Sequence, residues 1–191
     1  MTATQWQLDA SDGQLLVHTD VAGRASKMGH RLTIAMERWQ ARVSWSGESP
    51  SGVDLVVEVD SLRVLQGEGG VTPLTPPEKT LIRSNALKCL AADKHRLIRF
   101  VCDDVEPAGD GYQLSGTLEI NGRRKPHVIT VRVAHEDGSW RVSGDTTVRH
   151  SDFGVRRYSM LMGAMQVADE VTVSLSLSLS ASIGADPPHR G

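Results

Sequence analysis

The side chains able to do chemistry are scattered along this chain. Seven histidines and two cysteines among 191 residues invite a metal or general-base reading first. His18 and His30 lie in or beside the first alternating segments, His127 and His135 flank a later one, and His150 stands beside Asp152. None of them forms His-x-x-x-His, His-Glu-x-x-His or another spacing that brings two imidazoles to one metal. Cys89 and Cys102 have no metal-ligand spacing either, and read as small buried apolar residues. Ser26, Ser151 and Ser159 lack the Gly-x-Ser-x-Gly elbow that exposes a nucleophilic hydroxyl. Asp152-Phe153-Gly154 has the letters of a kinase metal loop with nothing else of a kinase around it; the plain reading is a glycine turn with Phe153 facing inward. No catalytic residue, metal ligand or cofactor site is assigned. His30 and His150 are the residues to watch for a metal or general-base site at the barrel mouth, or for contact with the polar end of a ligand. The alternative is a small histidine-dependent hydrolase or isomerase, or a metal-binding protein.

The elements that would position these side chains are strands. Aliphatic and aromatic residues alternate with polar ones in Leu15-Val17-Thr19, Leu32-Ile34-Met36, Trp39-Ala41-Val43-Trp45 and Val53-Leu55-Val57-Val59. The pattern returns in Ile98-Phe100-Cys102, Tyr112-Leu114-Gly116-Leu118-Ile120, Ile129-Val131-Val133 and Trp140-Val142. Such alternation puts one set of side chains on each face of a strand. Between them fall turn signals, among them Asn121-Gly122 and Asp137-Gly138, which supply the positive φ angles of tight hairpins. The longest alternating run is VTVSLSLSLSAS, residues 171–182. At about 3.3 Å per residue it spans roughly 40 Å, twice an ordinary strand. Long alternating strands in a chain of this size predict an all-β antiparallel barrel, which leaves no exposed edge.

Two segments break the pattern. Thr75-Pro76-Pro77-Glu78 is a capping box with proline at the first helical position, and predicts one helix over about residues 76–92. Its apolar stripe is Leu81, Ile82, Ala86, Leu87 and Leu90, and the preceding QGEGGVTPLT reads as a loop. The irregular segment 150–169 carries Tyr158, Met160, Leu161, Met162 and Met165. Unbranched methionines suit a pocket wall or mouth that adapts to its ligand, and equally a gap-filling plug. One domain is expected over residues 1–183, followed by a disordered tail at 184–191.

Composition narrows the function classes. The chain is 39% hydrophobic and 23% charged with a net charge of −2. The basic runs Arg123-Arg124-Lys125 and Arg156-Arg157 are too short for a nucleic-acid face, so no nucleic-acid partner is expected. No stretch approaches a membrane helix, so no membrane insertion is expected. A membrane barrel would need aromatic girdles, for which four tryptophans, two tyrosines and two phenylalanines are too few. The start, MTATQWQLDASDG, has neither a basic nor an apolar leader region, so the expected location is cytoplasmic.

Four stretches, in order, resemble the YceI family of lipocalin-like polyisoprenoid-binding proteins. They are Trp6-Gln7-Leu8-Asp9; Leu118 to Val128 with Gly122 and Pro126; Arg149 to Val155 with Phe153-Gly154; and Val167-Ala168-Asp169-Glu170-Val171. The resemblance, to a member without a signal peptide, implies an extended eight-stranded barrel whose apolar lumen holds an isoprenoid or similar lipid tail. It brings no catalytic residue and no cofactor beyond that ligand. The residues expected to face the lumen are Val17, Leu32, Ile34, Val57, Phe100, Leu114, Leu118 and Val131. Phe153, Tyr158, Leu161, Met162, Met165, Val173, Leu175 and Leu177 complete that set. Alternation alone cannot tell a hollow barrel from one filled by its own side chains. The function expected is that of a non-enzymatic carrier of a long apolar molecule, possible as a homodimer.

Overall fold

The computed structural model describes residues 5–180. Its strands are β1 (Gln5–Asp9), β2 (Gly13–His18), β3 (Val21–Ala22), β4 (His30–Met36), β5 (Trp39–Ser46), β6 (Ser49–Glu58) and β7 (Leu62–Gly69). After helix α1 (Pro76–Cys89) come β8 (Leu97–Ala108), β9 (Gly111–Ile120), β10 (Arg123–Glu136), β11 (Ser139–Arg149), β12 (Ser159–Met160), β13 (Met165–Val167) and β14 (Glu170–Ser180). Eleven of the fourteen strands join one antiparallel sheet in the order β1-β5-β6-β8-β9-β10-β11-β14-β2-β4-β7.

That order closes on itself, because three of its strands are bent. β4 and β5 are one run interrupted at Glu37-Arg38, and β6 and β7 one run interrupted by a helical turn at Val59–Ser61. β1 and β2, broken at residues 10–12, lie antiparallel to β5 and β4 in turn, with Leu8 opposite Ala41 and Val17 opposite Ile34. Each bent run thus appears at both ends of the strand order. The eleven segments make eight continuous runs, each hydrogen-bonded on both sides, which is the eight-stranded barrel. Arg38 holds the two main bends together: its Nε donates to Glu58 Oε2 and its terminal nitrogen to Asp60 Oδ1, both at 2.6 Å.

The ladder between β10 and β11 is incomplete. It runs from Glu136↔Ser139 to Arg132↔Ser143 and stops, although β10 continues back to Arg123 and β11 on to Arg149. Beyond that point β10 pairs only with β9, and β11 only with β14. The seam is filled by the helical turn Ser151–Phe153, whose Phe153 is 2% exposed among Phe100, Leu118, Val131 and Val148.

Helix α1 forms as its capping box requires. Glu78 N–H donates to Thr75 Oγ1 at 3.4 Å, and Thr75 N–H to Glu78 Oε2 at 2.7 Å. It ends at Cys89, short of the expected residue 92, with Leu90 as its cap. Lys79 and Arg83 tie it to β7 through the carbonyls of Leu65 and Leu62, at 2.7 and 2.8 Å. Ile82, Ala86, Leu87 and Leu90 pack on the barrel core, whereas Leu81 is exposed. Part of the QGEGG stretch, expected as loop, is strand: Gln66 to Gly69 pair with Thr33 to His30. Gly67 makes room there for Leu74, whose side-chain tip would lie 2.5 Å from a β-carbon and would have to shift. The irregular segment 150–169 resolves into short pieces, and β12, β13 and β3 make a small second sheet. Residues 181–182 of the last expected strand and the expected tail at 184–191 lie outside the described residues.

Half of the barrel is solid. Leu8, Trp39, Ala41, Leu177 and Leu179 are buried together, with Trp6, Trp140, Val142 and Leu175 packed against them. Trp6 and Trp45 meet with ring centroids 4.7 Å apart. A Leu→Ala change here opens a cavity, so Leu177→Ala is expected to lower stability by about 2–5 kcal/mol. Leu32→Ala, whose side chain already borders empty space in the other half, should cost less than half as much. Urea unfolding of both variants checks this, and equal losses would mean that both ends are equally packed.

Candidate functional site

The other half of the barrel holds a cavity of about 680 Å³. Its walls are residues of four strands: Leu15 and Val17 on β2, Leu32 and Ile34 on β4, Leu55 and Val57 on β6, and Ile98 and Phe100 on β8. Leu118, Ile129, Val148 and Val173 continue the wall around the barrel. Ile82, Asn85, Ala86, Cys89 and Leu90 of α1 lie along one side of it, and Met28, Val71, Leu81, Met160 and Leu161 surround its opening. At about 30 Å³ for a water in the liquid, this is room for roughly twenty water-sized groups.

The structure divides the residues expected in the lumen. Val17, Leu32, Ile34, Val57, Phe100, Leu118, Phe153, Tyr158, Leu161, Met165 and Val173 do line the cavity. Leu114 and Val131 are buried in the packed cluster around Phe100 and Phe153 and do not line it. Leu175 and Leu177 point the same way as Val173 but sit further along β14, in the solid half. Met162 faces solvent, fully exposed, because its φ of 54° turns it away from the barrel. Alternation fixes which face a side chain takes; it says nothing of depth along the barrel axis.

His30 and His150 both reach the cavity wall, each already committed on one side. His30 Nε2 is 2.6 Å from the carbonyl oxygen of Thr72, and its ring lies against Gly70, where φ is 72°. His150 Nδ1 is 2.8 Å from the carbonyl oxygen of Asp169. A carbonyl only accepts, so each of these nitrogens carries a proton. In the neutral rings that leaves Nδ1 of His30 and Nε2 of His150 as acceptors. Around His150 two of the sequence motifs interlock. Ser151 donates to Asp169 through its N–H at 2.8 Å and its hydroxyl at 2.6 Å, holding that carboxyl below its usual range. Arg149 makes two bonds to Glu170 Oε1, at 2.9 and 2.7 Å. A third motif joins them, since Asn121 Nδ2 donates to the carbonyls of Phe153 and Gly154, each at 3.2 Å.

Several polar residues on the wall were not singled out from the sequence as lumen contacts, among them Glu78, Asn85, His127, Thr146 and Gln166. His127 projects from the part of β10 that has no ladder to β11, and its Nε2 lies 2.7 Å from Thr146 Oγ1 on β11. That contact bridges the open seam, and both residues line the cavity. Its signal was present in the sequence, since His127 shares the inward phase of Ile129 and Val131. His18 and His135 have other partners. His18 Nε2 lies 3.1 Å from Ser174 Oγ, and the His135 ring meets Trp140 at a tilt of 54° with centroids 4.6 Å apart. Among the described residues no group of three or more His, Cys, Asp or Glu is placed to hold a metal ion. Burial pushes the thiols of Cys89, on the cavity wall, and Cys102, in the core, above the ordinary value.

A closed antiparallel barrel, packed at one end and hollow and apolar at the other, defines a lipocalin-like class of protein. A model of the YceI-like domain matches residues 6–179, and the chain belongs to that family. Among solved structures it is similar to BcnA of Burkholderia cenocepacia, with a TM-score of 0.68 at 17% identity over 91% of this chain and 99% of that one. It is also similar to the YCEI protein of Campylobacter jejuni, with a TM-score of 0.57 at 14% identity over 76% of this chain and 82% of that one. At these identities the likeness is one of fold. Comparison with curated proteins finds no match. No helix among the described residues is long and apolar enough to cross a membrane.

Burial holds the His127 imidazole below its ordinary value, opposed by the carboxylate of Asp152. The unfolded chain, near about 6.5, therefore binds this proton more readily than the folded one. The stability associated with neutral His127 is complete above that pH and is lost as pH falls through the depressed folded value. Asp9, Glu78 and Asp169, whose values are also lowered, lose theirs in a more acidic window. Between about pH 7 and pH 5 the urea midpoint should fall more steeply for the wild type than for His127→Gln. Parallel curves would show that His127 does not set this dependence.

Proposed function

We propose that this protein is a non-enzymatic binding or carrier protein for a long apolar molecule, an isoprenoid or similar lipid tail. The observation that carries the reading is the cavity itself: apolar, open at one end, and within the range of about 300–1,000 Å³ usual for ligand pockets. A chain threaded among these side chains gains roughly 0.8 kcal/mol for each buried CH₂-sized group before ordering costs. Affinity can therefore come from the walls alone. The few polar groups serve to orient the ligand.

In this reading the tail runs inward along Ile34, Val57 and Val173 toward Phe100. The head group stays near residues 150–165, where His30, His150, the Arg156 guanidinium, Gln166 and the Glu78 carboxylate line the cavity. His127 and Thr146 have their hydrogen bond with each other, so an apolar tail can pass them without stranding a polar atom.

Titration with geranylgeraniol, followed by thermal shift or by tryptophan fluorescence, tests this. Saturable binding is expected in the wild type. Val173→Trp, which fills the wall, should weaken it at least tenfold. Arg42→Gln, on the outer face of β5, should leave it unchanged. Binding of the same strength in Val173→Trp would remove the cavity as the site.

A further inference from the structure

Around the opening the surface is apolar where protein surfaces are ordinarily mixed. Ten large apolar side chains are strongly exposed among the described residues. Six of them, Met28, Val71, Leu81, Tyr158, Met160 and Leu161, border the mouth of the cavity. They come from three separate segments: the turn before β4, the stretch from β7 into α1, and the β12–β13 hairpin. Such convergence marks a contact surface.

A ligand in the barrel accounts for the inner faces of these residues and leaves Met162 unexplained. Leu161 and Met162 both hold a positive φ, 53° and 54°, which is unfavourable for residues with a β-carbon. The result is an apolar hairpin tip that projects from the mouth. Charge gives the second indication. Residues 21–30 and 153–167 carry Arg24, Lys27, Arg156 and Arg157 and no carboxylate, in a chain whose net charge is −2, and the carboxylates of the third segment are engaged, Glu68 with Arg31 and Glu78 with Thr75 of its own helix cap. Arg24 and Lys27 are exposed and enter no salt bridge among the described residues.

We propose that the mouth docks on the surface of an anionic lipid bilayer, with Met162 and its apolar neighbours in the boundary between head groups and acyl chains. The exposed Arg24, Lys27 and Arg156 then lie at the level of the lipid phosphates, where each adds to binding, while Arg157 is turned to the Asp169 carboxylate. This rests on the carrier reading for its purpose, since a water-insoluble ligand is dissolved in a bilayer and the opening would face that source. The contact is peripheral, and no strand or helix crosses.

The test is flotation of the full chain with two kinds of vesicle: phosphatidylcholine alone, and phosphatidylcholine containing about one third phosphatidylglycerol. Binding is expected to the anionic vesicles, and should weaken strongly in high salt. Met162→Asp should lower the affinity at least tenfold. Arg24→Ser with Lys27→Ser should lower it roughly 20- to 30-fold, at the effect of one lysine or arginine near an anionic surface. Both variants should bind geranylgeraniol as the wild type does, which shows that they fold. Vesicle binding unaffected by either variant, or absent, overturns the proposal. Self-association that Met162→Asp abolishes, without vesicle binding, assigns the rim to a second copy of the chain instead. Vesicle binding without prenol binding leaves the docking surface standing and removes the carrier reading; prenol binding without vesicle binding does the reverse.

Discussion

The structure turns on the seam between β10 and β11. Over residues 123–131 β10 has lost its second neighbour, and a barrel that opens at one seam must plug it or expose backbone. The chain plugs it with Phe153, buried to 2%. The turn that carries Phe153 is held from three sides, by Asn121, by the Ser151–Asp169 bonds and by the Arg149–Glu170 pair. His127 and Thr146 bridge what remains open. Splaying the two strands widens one end of the barrel, and the cavity lies in that widened half. The other half, where the ladder is intact, closes on four tryptophans and the leucines of β14.

This division explains why motifs that look like chemistry in the sequence are structural here. Asp152-Phe153-Gly154 is a plug and its turn, with φ at Gly154 of 59°. Ser151 is tied to Asp169, and the nearby His150 to the same residue's carbonyl. Asn121-Gly122 turns a hairpin and also anchors the plug. The residues that brought the family resemblance are thus largely those that hold the seam, and the wall of the cavity is made mostly of aliphatic side chains outside those stretches.

The barrel was legible in the sequence because period-two alternation is a direct consequence of strand geometry. Val17, Ile34, Val57, Leu118 and Val173 take the inward face their pattern requires, and the capping box at Thr75 starts the helix where it should. Three things were not legible. Depth along the barrel is invisible to alternation, so Leu175 and Leu177 share the phase of Val173 and yet meet packed side chains. β7 was hidden because glycines at 67 and 69, which read as loop, are tolerated by pairing with β4, and the first of them lies against Leu74. Met162 was set inward by its neighbours' composition, whereas a left-handed backbone turns it out.

The central claim is that the hollow half of the barrel is an occupied binding site rather than a packing defect. Native mass spectrometry of the protein purified without detergent addresses it directly. The account predicts a species heavier than the chain by one apolar molecule, released into organic solvent and absent from Val173→Trp. A bare chain mass in the wild type, unchanged after incubation with prenols, would contradict it.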